Sequence, residues 1–281
     1  MLPELSRAIR PFIPNVIVRV PHVEPGAHLA VKLRHHLGLI AHGAKAYERR
    51  YVDILRRCVE PGDCVFDVGA NIGFYSVLFS RWVGRTGRVL AYEPDPENVR
   101  LLEKNVFENR CTETMVRPVA LGRECGSCVF SRDTVTGLTG HVGTGPTYGG
   151  VRFRTRKEIS IQVAVRTLDA EIETARVVPS VVKLDTEGGE YDILCGGVRA
   201  LREYKPLIVA ETSNWGHDAD RGVTRSRACI ELLNELGYVV FDLDAGRRVS
   251  PGDQTWMILA VPAKQCSEAR VAGVLATVGK R

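Results

Sequence analysis

Apolar residues fall along this chain in short unbroken runs separated by stretches where they recur every three or four positions. That alternation predicts strands interleaved with helices. Cys64–Val68, Arg88–Tyr92, Val181–Asp185 and Pro206–Ala210 read as buried parallel strands, and Thr114–Leu121 as another. Between them, Ile72–Val83 is apolar almost all round, as expected of a helix packed tightly on a sheet. A helix opening at Pro96 behind an Asp95 cap carries Val99, Leu102 and Val106 on one face. Tyr191–Glu203 turns Ile193, Leu194, Val198 and Leu201 inward, and Arg225–Leu236 is a helix stopped by Gly237. The βαβαβ half of a doubly wound sheet is complete by residue 121. Tyr238–Asp244 and Trp256–Val261, joined through Gly246 and Pro251-Gly252, predict a closing antiparallel pair.

The flanks are less regular. Pro3, Pro11, Pro14, Pro21 and Pro25 interrupt residues 1–46, where Asn15–Val20 and Ala27–Leu33 read as two short strands of a hairpin or lid. From Ala46 to Val59 a helical pattern sets Tyr47, Tyr51, Ile54, Leu55 and Cys58 against Arg49, Arg50, Arg56 and Arg57. Gly122–Lys157 is rich in Gly, Thr and Ser, with a short strand near Cys128–Phe130. A connection this long predicts an excursion over the site that shapes a substrate pocket. Ile159–Val165 alternates as an edge strand, and Thr167 caps a short helix. The expected organisation is an N-terminal basic arm or lid (1–46), a main domain (47–265) with a substrate-side insertion (122–158), and a helical tail (266–281).

Charge sharpens the picture of the arm. Of a net +5, residues 1–57 hold ten Lys and Arg against four Asp and Glu, together with five of the seven histidines (22, 28, 35, 36, 42). A solvated arm is the plainer reading; a surface for an acidic partner, membrane or nucleic acid is the sharper one. Eight scattered cysteines form no paired framework, which predicts reduced thiols and a cytoplasmic location. Cys125-Gly-Ser-Cys128 is one C-x-x-C without a second pair, a weak metal or redox signal. No signal-peptide layout and no apolar run long enough for a membrane span is found.

The candidate ligand site is Asp67-Val68-Gly69-Ala70-Asn71-Ile72-Gly73, a strand running through a glycine turn into a helix. Glu93 ends the next strand, 24 residues beyond Gly69, where a carboxylate accepts both hydroxyls of a ribose. Asn71 stands where a dinucleotide site wants its second glycine, and no G-x-x-x-x-G-K-[ST] occurs, so pyrophosphate and P-loop cradles are excluded. The turn, Glu93 and the closing antiparallel pair look like a class I S-adenosylmethionine-dependent methyltransferase. Tyr47-Glu48, Pro61-Gly62-Asp63, Phe66 to Gly73, Tyr92-Glu93-Pro94 and Lys183-Leu184-Asp185-Thr186-Glu187-Gly188-Gly189-Glu190 resemble the FkbM family of methyltransferases over roughly residues 47–260. Thr186 and Gly189 depart from that family's usual Val and Ala without removing a functional group.

The resemblance implies a Rossmann-like fold with a seven-stranded, mostly parallel sheet, an antiparallel closing strand and three α/β/α layers. It implies S-adenosyl-L-methionine as cofactor and O-methylation of a sugar, glycolipid or natural-product hydroxyl. Asp67, Gly69, Asn71, Gly73, Tyr75, Glu93, Pro94 and Ala120 are the expected cofactor-binding residues, Ala120 bordering the adenine. Asp185, Glu187, Glu211 and His217 are the expected catalytic group, placed where open α/β sheets carry their chemistry, and His141 is a further candidate base. Asp185 with Glu187 lacks further ligands, so no metal is expected. The expected partner is a small-molecule or glycan acceptor with a free hydroxyl, with no nucleic acid; a homo-oligomer is left open. RNA methylation through the basic arm and a non-catalytic cofactor-binding scaffold are the alternatives. Against the first stands the lack of an Asn/Asp-Pro-Pro-Tyr/Phe motif, and against the second the intact motifs.

Overall fold

The computed structural model describes residues 12–22, 24–43, 47–133, 140–142, 158–186, 188–212, 217–218, 223–250, 253, 255–266 and 269–278. A hairpin comes first, β1 (Ile17–Pro21) against β2 (His28–Lys32), then α1 (Leu37–His42) and α2 (Arg49–Cys58). The alternating unit follows: β3 (Cys64–Val68), α3 (Phe74–Val83), β4 (Arg88–Tyr92), α4 (Pro96–Glu108) and β5 (Thr114–Arg117). After β6 (Ala120–Leu121), β7 (Gly126–Asp133), β8 (Gly140–Val142) and β9 (Glu158–Arg166), it resumes with α5 (Leu168–Ala175) and β10 (Val181–Leu184). The chain then runs through α6 (Glu190–Cys195), α7 (Val198–Glu203), β11 (Leu207–Glu211), β12 (His217–Asp218), β13 (Val223–Thr224) and α8 (Arg225–Glu235). It closes with β14 (Tyr238–Asp242), β15 (Arg247–Arg248), β16 (Met257–Pro262) and α9 (Ala269–Val278).

The main sheet has the order β15-β14-β16-β11-β10-β3-β4-β5. Strands β11, β10, β3, β4 and β5 are parallel, and β16 inserts antiparallel between β11 and β14. The expected seven strands are therefore present, and the two-residue β15 adds an eighth at the edge. Successive residues of β3 supply opposite faces: Val65 belongs to the core that holds Val77, Phe79 and Leu259, and Phe66 to the core that holds Leu90, Ile193 and Ile208. Helices thus cover both faces, the three-layer arrangement that lets parallel strands read as continuous apolar runs.

Four local expectations change. Thr114–Leu121 is two strands, because Pro118 has no N–H for a ladder: β5 stays in the main sheet and β6 pairs with β9 in a second sheet. Ile159–Val165 is consequently not an edge strand; it lies inside that second sheet, of order β6-β9-β7-β8. Tyr191–Glu203 is broken at Gly196-Gly197, where a Cβ on Gly196 would lie 2.1 Å from the Gly122 carbonyl oxygen and one on Gly197 2.6 Å from Leu168. The hairpin is not wholly a solvated arm, since Leu29, Ala30 and Val31 are buried in the main core. Asn105, itself buried, fastens it: Oδ1 accepts from Ala30 N–H (2.7 Å), while Nδ2 donates to the Ala30 and Ile72 carbonyls (3.1 and 2.7 Å). Helix α9 packs on α2 through Val271 and Val274.

Candidate active site

Above the carboxyl ends of β3, β4, β10 and β11 lies a cavity of about 400 Å³. Open parallel sheets place ligands here because strand ends, helix N-termini and loop backbone converge. One wall is the turn after β3. Gly69 (φ +77°) is there because no side chain fits: its Cβ would sit 1.8 Å from the Asp185 carbonyl oxygen. Asn71 (φ +51°) follows in the left-handed region that Asn tolerates better than most residues. Its N–H donates to Glu93 Oε2 at 2.8 Å, while Asp95 N–H (2.9 Å) and Asn98 Nδ2 (3.4 Å) reach Oε1. Glu93 is 5% exposed, and burial pushes its carboxyl up to about 7 against the pull of those backbone donors.

The opposite wall is built around Lys183, a lone cation in the apolar strand β10. Its Nζ lies 3.2 Å from Asp185 Oδ2, 3.4 Å from Asp67 Oδ1 and 3.4 Å from the Gly69 carbonyl oxygen, over the Tyr75 ring. Burial alone would strip its proton, but Asp185, Asp67 and Glu48 outweigh that and hold it protonated above the usual lysine range. For Asp185, burial pushes up, while the Lys183 ammonium and hydrogen bonds from Glu211 and Lys183 hold the carboxyl below its ordinary value. Glu48 enters from the start of α2 and accepts the Tyr75 hydroxyl proton. Tyr47 hydrogen-bonds the same carboxylate. His36 also lines the cavity; burial pushes it down to about 4, so it is neutral, and it hydrogen-bonds Asn71.

Of the sequence-expected cofactor residues, Gly69, Asn71, Tyr75, Glu93, Pro94 and Ala120 line this cavity. Asp67 and Gly73 sit behind it: Asp67 accepts from Ser76 Oγ (2.6 Å), and a Cβ on Gly73 would meet Leu102 at 2.7 Å. Ala120 reaches the wall from the second sheet, not from the end of the third main strand. Asp185 and Glu211 come together there, joined by their hydrogen bond. Glu187 lies outside the described residues, as do the side chains of His141 and His217; the His217 backbone pairs with Thr224. Tyr47, Glu48, His36 and Lys183 were not among the expected site residues. Lys183 had a signal, a charged residue inside the apolar run Val181-Val182-Lys183-Leu184. Among the described residues, no group of three or more His, Cys, Asp or Glu could hold a metal ion.

Glu48, Glu93, Asp95, Asp185 and Glu211 face the cavity, and Lys183 is its one lysine or arginine among the described residues. Such a chamber disfavours phosphate and favours a ligand carrying hydroxyl donors and positive charge. A doubly wound sheet with this turn, this strand-end carboxylate and an inserted antiparallel strand is the architecture that the methyltransferase resemblance implies. The methyltransferase FkbM domain model matches residues 67–240, and the chain belongs to that family. It is 27% identical over 163 residues to the hexuronic acid methyltransferase AglP of Haloferax volcanii, covering 58% of this chain and 61% of that protein. Among solved structures it is similar to a methyltransferase FkbM from Methylobacillus flagellatus (20% identity, 71% of this chain and 43% of that one, TM-score 0.44). It is also similar to an S-adenosylmethionine-dependent O-methyltransferase from Thermotoga maritima (15% identity, 88% and 77%, TM-score 0.42). The chain thus spans less than two thirds of the length of AglP and of the Methylobacillus protein. No described helix is long and apolar enough to cross a membrane.

Proposed function

We propose that this chain uses S-adenosyl-L-methionine to methylate a hydroxyl of a sugar or related glycan acceptor. The observation that carries the cofactor assignment is Glu93, a buried carboxylate at the tip of β4 whose two oxygens are oriented by Asn71 and Asp95 N–H groups. Among the described residues, Oε2 receives one protein donor only, which leaves it a lone pair for a ribose hydroxyl. When bound, the cofactor supplies an activated methyl carbon on a sulfonium. The chain's own residues must then align the acceptor oxygen and take its proton. Asp185 is the proton acceptor in this reading: the Lys183 ammonium at 3.2 Å and a hydrogen bond from Glu211 favour its ionised form. A carboxylate held so low orients the hydroxyl first and takes the proton late, as the new C–O bond forms. A sugar acceptor rests on the similarity to a hexuronic acid methyltransferase.

Labelled-methyl transfer from S-adenosylmethionine to a panel of sugars and glycans tests the reading, with wild type and Asp185→Asn compared. The variant should lose turnover by about a hundredfold or more, while S-adenosylhomocysteine affinity changes only a few-fold. Wild-type turnover in Asp185→Asn, or no cofactor binding by the wild type, would overturn it.

A further inference from the structure

The residue preceding α2 does not use its side chain to cap that helix. Glu48 is the N-cap of α2, yet its side chain makes no capping bond, and its backbone is left-handed (φ 49°, ψ 26°), a conformation a glutamate adopts at a cost. Its carboxylate points instead into the cavity, where it receives the Tyr75 hydroxyl and stands close enough to Lys183 to favour that lysine's charge. It also lies before residue 67, outside the span matched by the family model.

Lys183 is already shared between Asp67 and Asp185. The Glu48 carboxylate therefore adds negative charge that no described protein cation neutralises one to one. Glu93 and Glu48 line the same cavity, with Asn71, Ile72 and Phe74 of the turn in its wall as well. Glu48 suits a ligand ammonium. Resting on the cofactor assignment above, we infer that Glu48 binds the α-ammonium of the cofactor's amino-acid end. The tyrosine pair holds the carboxylate toward the cavity, and the left-handed backbone aims it there.

Calorimetry on the full chain separates the possibilities, comparing wild type with Glu48→Gln, which still accepts the tyrosine proton. The probes are S-adenosylmethionine, S-adenosylhomocysteine and 5′-methylthioadenosine, which has the nucleoside and thioether but no ammonium. The variant should lose about ten- to a hundredfold in affinity for the first two and bind the third within about twofold of wild type. Equal loss for all three would assign Glu48 a structural role and overturn the inference, as would no loss for any. Tyr75→Phe, which frees the carboxylate but keeps its charge, should weaken the first two only a few-fold; a loss matching Glu48→Gln would also overturn it. If wild type binds none of the three, the cofactor assignment itself fails, an outcome distinct from these.

Discussion

Glu93→Gln is the most informative single perturbation. The carboxylate accepts Asn71 N–H on Oε2 and Asp95 N–H on Oε1, both below 3 Å. Glutamine has one acceptor oxygen, so its NH₂ must face one of those N–H groups, and one acceptor for the ribose is lost as well. Hydrogen bonds to a charged group contribute about 1.5–3 kcal/mol each, so ligand affinity should fall by about 2–4 kcal/mol, roughly thirtyfold to a thousandfold. Acidity adds a second signature. Burial raises the carboxyl from 4.5 to about 7, and a diol donating to it favours the ionised form, so binding below that value must expel a proton. Wild-type affinity for S-adenosylhomocysteine should therefore rise about tenfold from pH 6 to pH 8, and the variant's should stay flat across that window. Stability moves the other way. Because the folded value is raised, this group's stabilisation is complete below pH 4.5 and is lost as pH climbs through 7, by about 3 kcal/mol, and Gln removes that slope. Calorimetry at the two pH values, with urea unfolding in parallel, measures both. Undiminished binding by the variant, or pH-independent binding by the wild type, would refute the reasoning.

Four further substitutions probe the frame of the fold. Lys183→Met leaves Asp67 and Asp185 without their shared cation and should lower stability by about 3–5 kcal/mol in urea unfolding at pH 7. Asn105→Ala removes two bonds that fasten the hairpin and a third to Ile72, and should cost about 3 kcal/mol; limited proteolysis should then cut first between residues 24 and 43. Gly69→Ala, which puts a methyl 1.8 Å from the Asp185 carbonyl oxygen, should lower stability in a thermal melt by more than about 4 kcal/mol. Gly84→Ala, with a similar φ (+64°) but nothing within 4 Å, adds backbone strain alone and should cost less, about 1–3 kcal/mol, in the same melt.

The sequence by itself determined the parallel core. Cys64–Val68 and Arg88–Tyr92 are strands with the bounds their apolar runs predict, and Asp95 caps α4 by accepting from Glu97 N–H. Periodicity reports burial, and burial on both faces of a parallel strand leaves an unbroken apolar run that can be read without a partner. Glu93 was legible for a related reason, since strand length and glycine turn set its distance along the chain. Periodicity carries no information about which sheet a strand joins. Pro118 therefore had to be seen to divert Ala120 into a second sheet, and the Gly122 carbonyl to show why Gly196 breaks a helix. The charge balance of the cavity was equally a tertiary decision. Lys183 and Asp185 are neighbours in sequence, but Asp67, Glu48 and Glu211 join them from β3, the start of α2 and β11. Electrostatic work depends on distance through space, and only the packed sheet sets those distances.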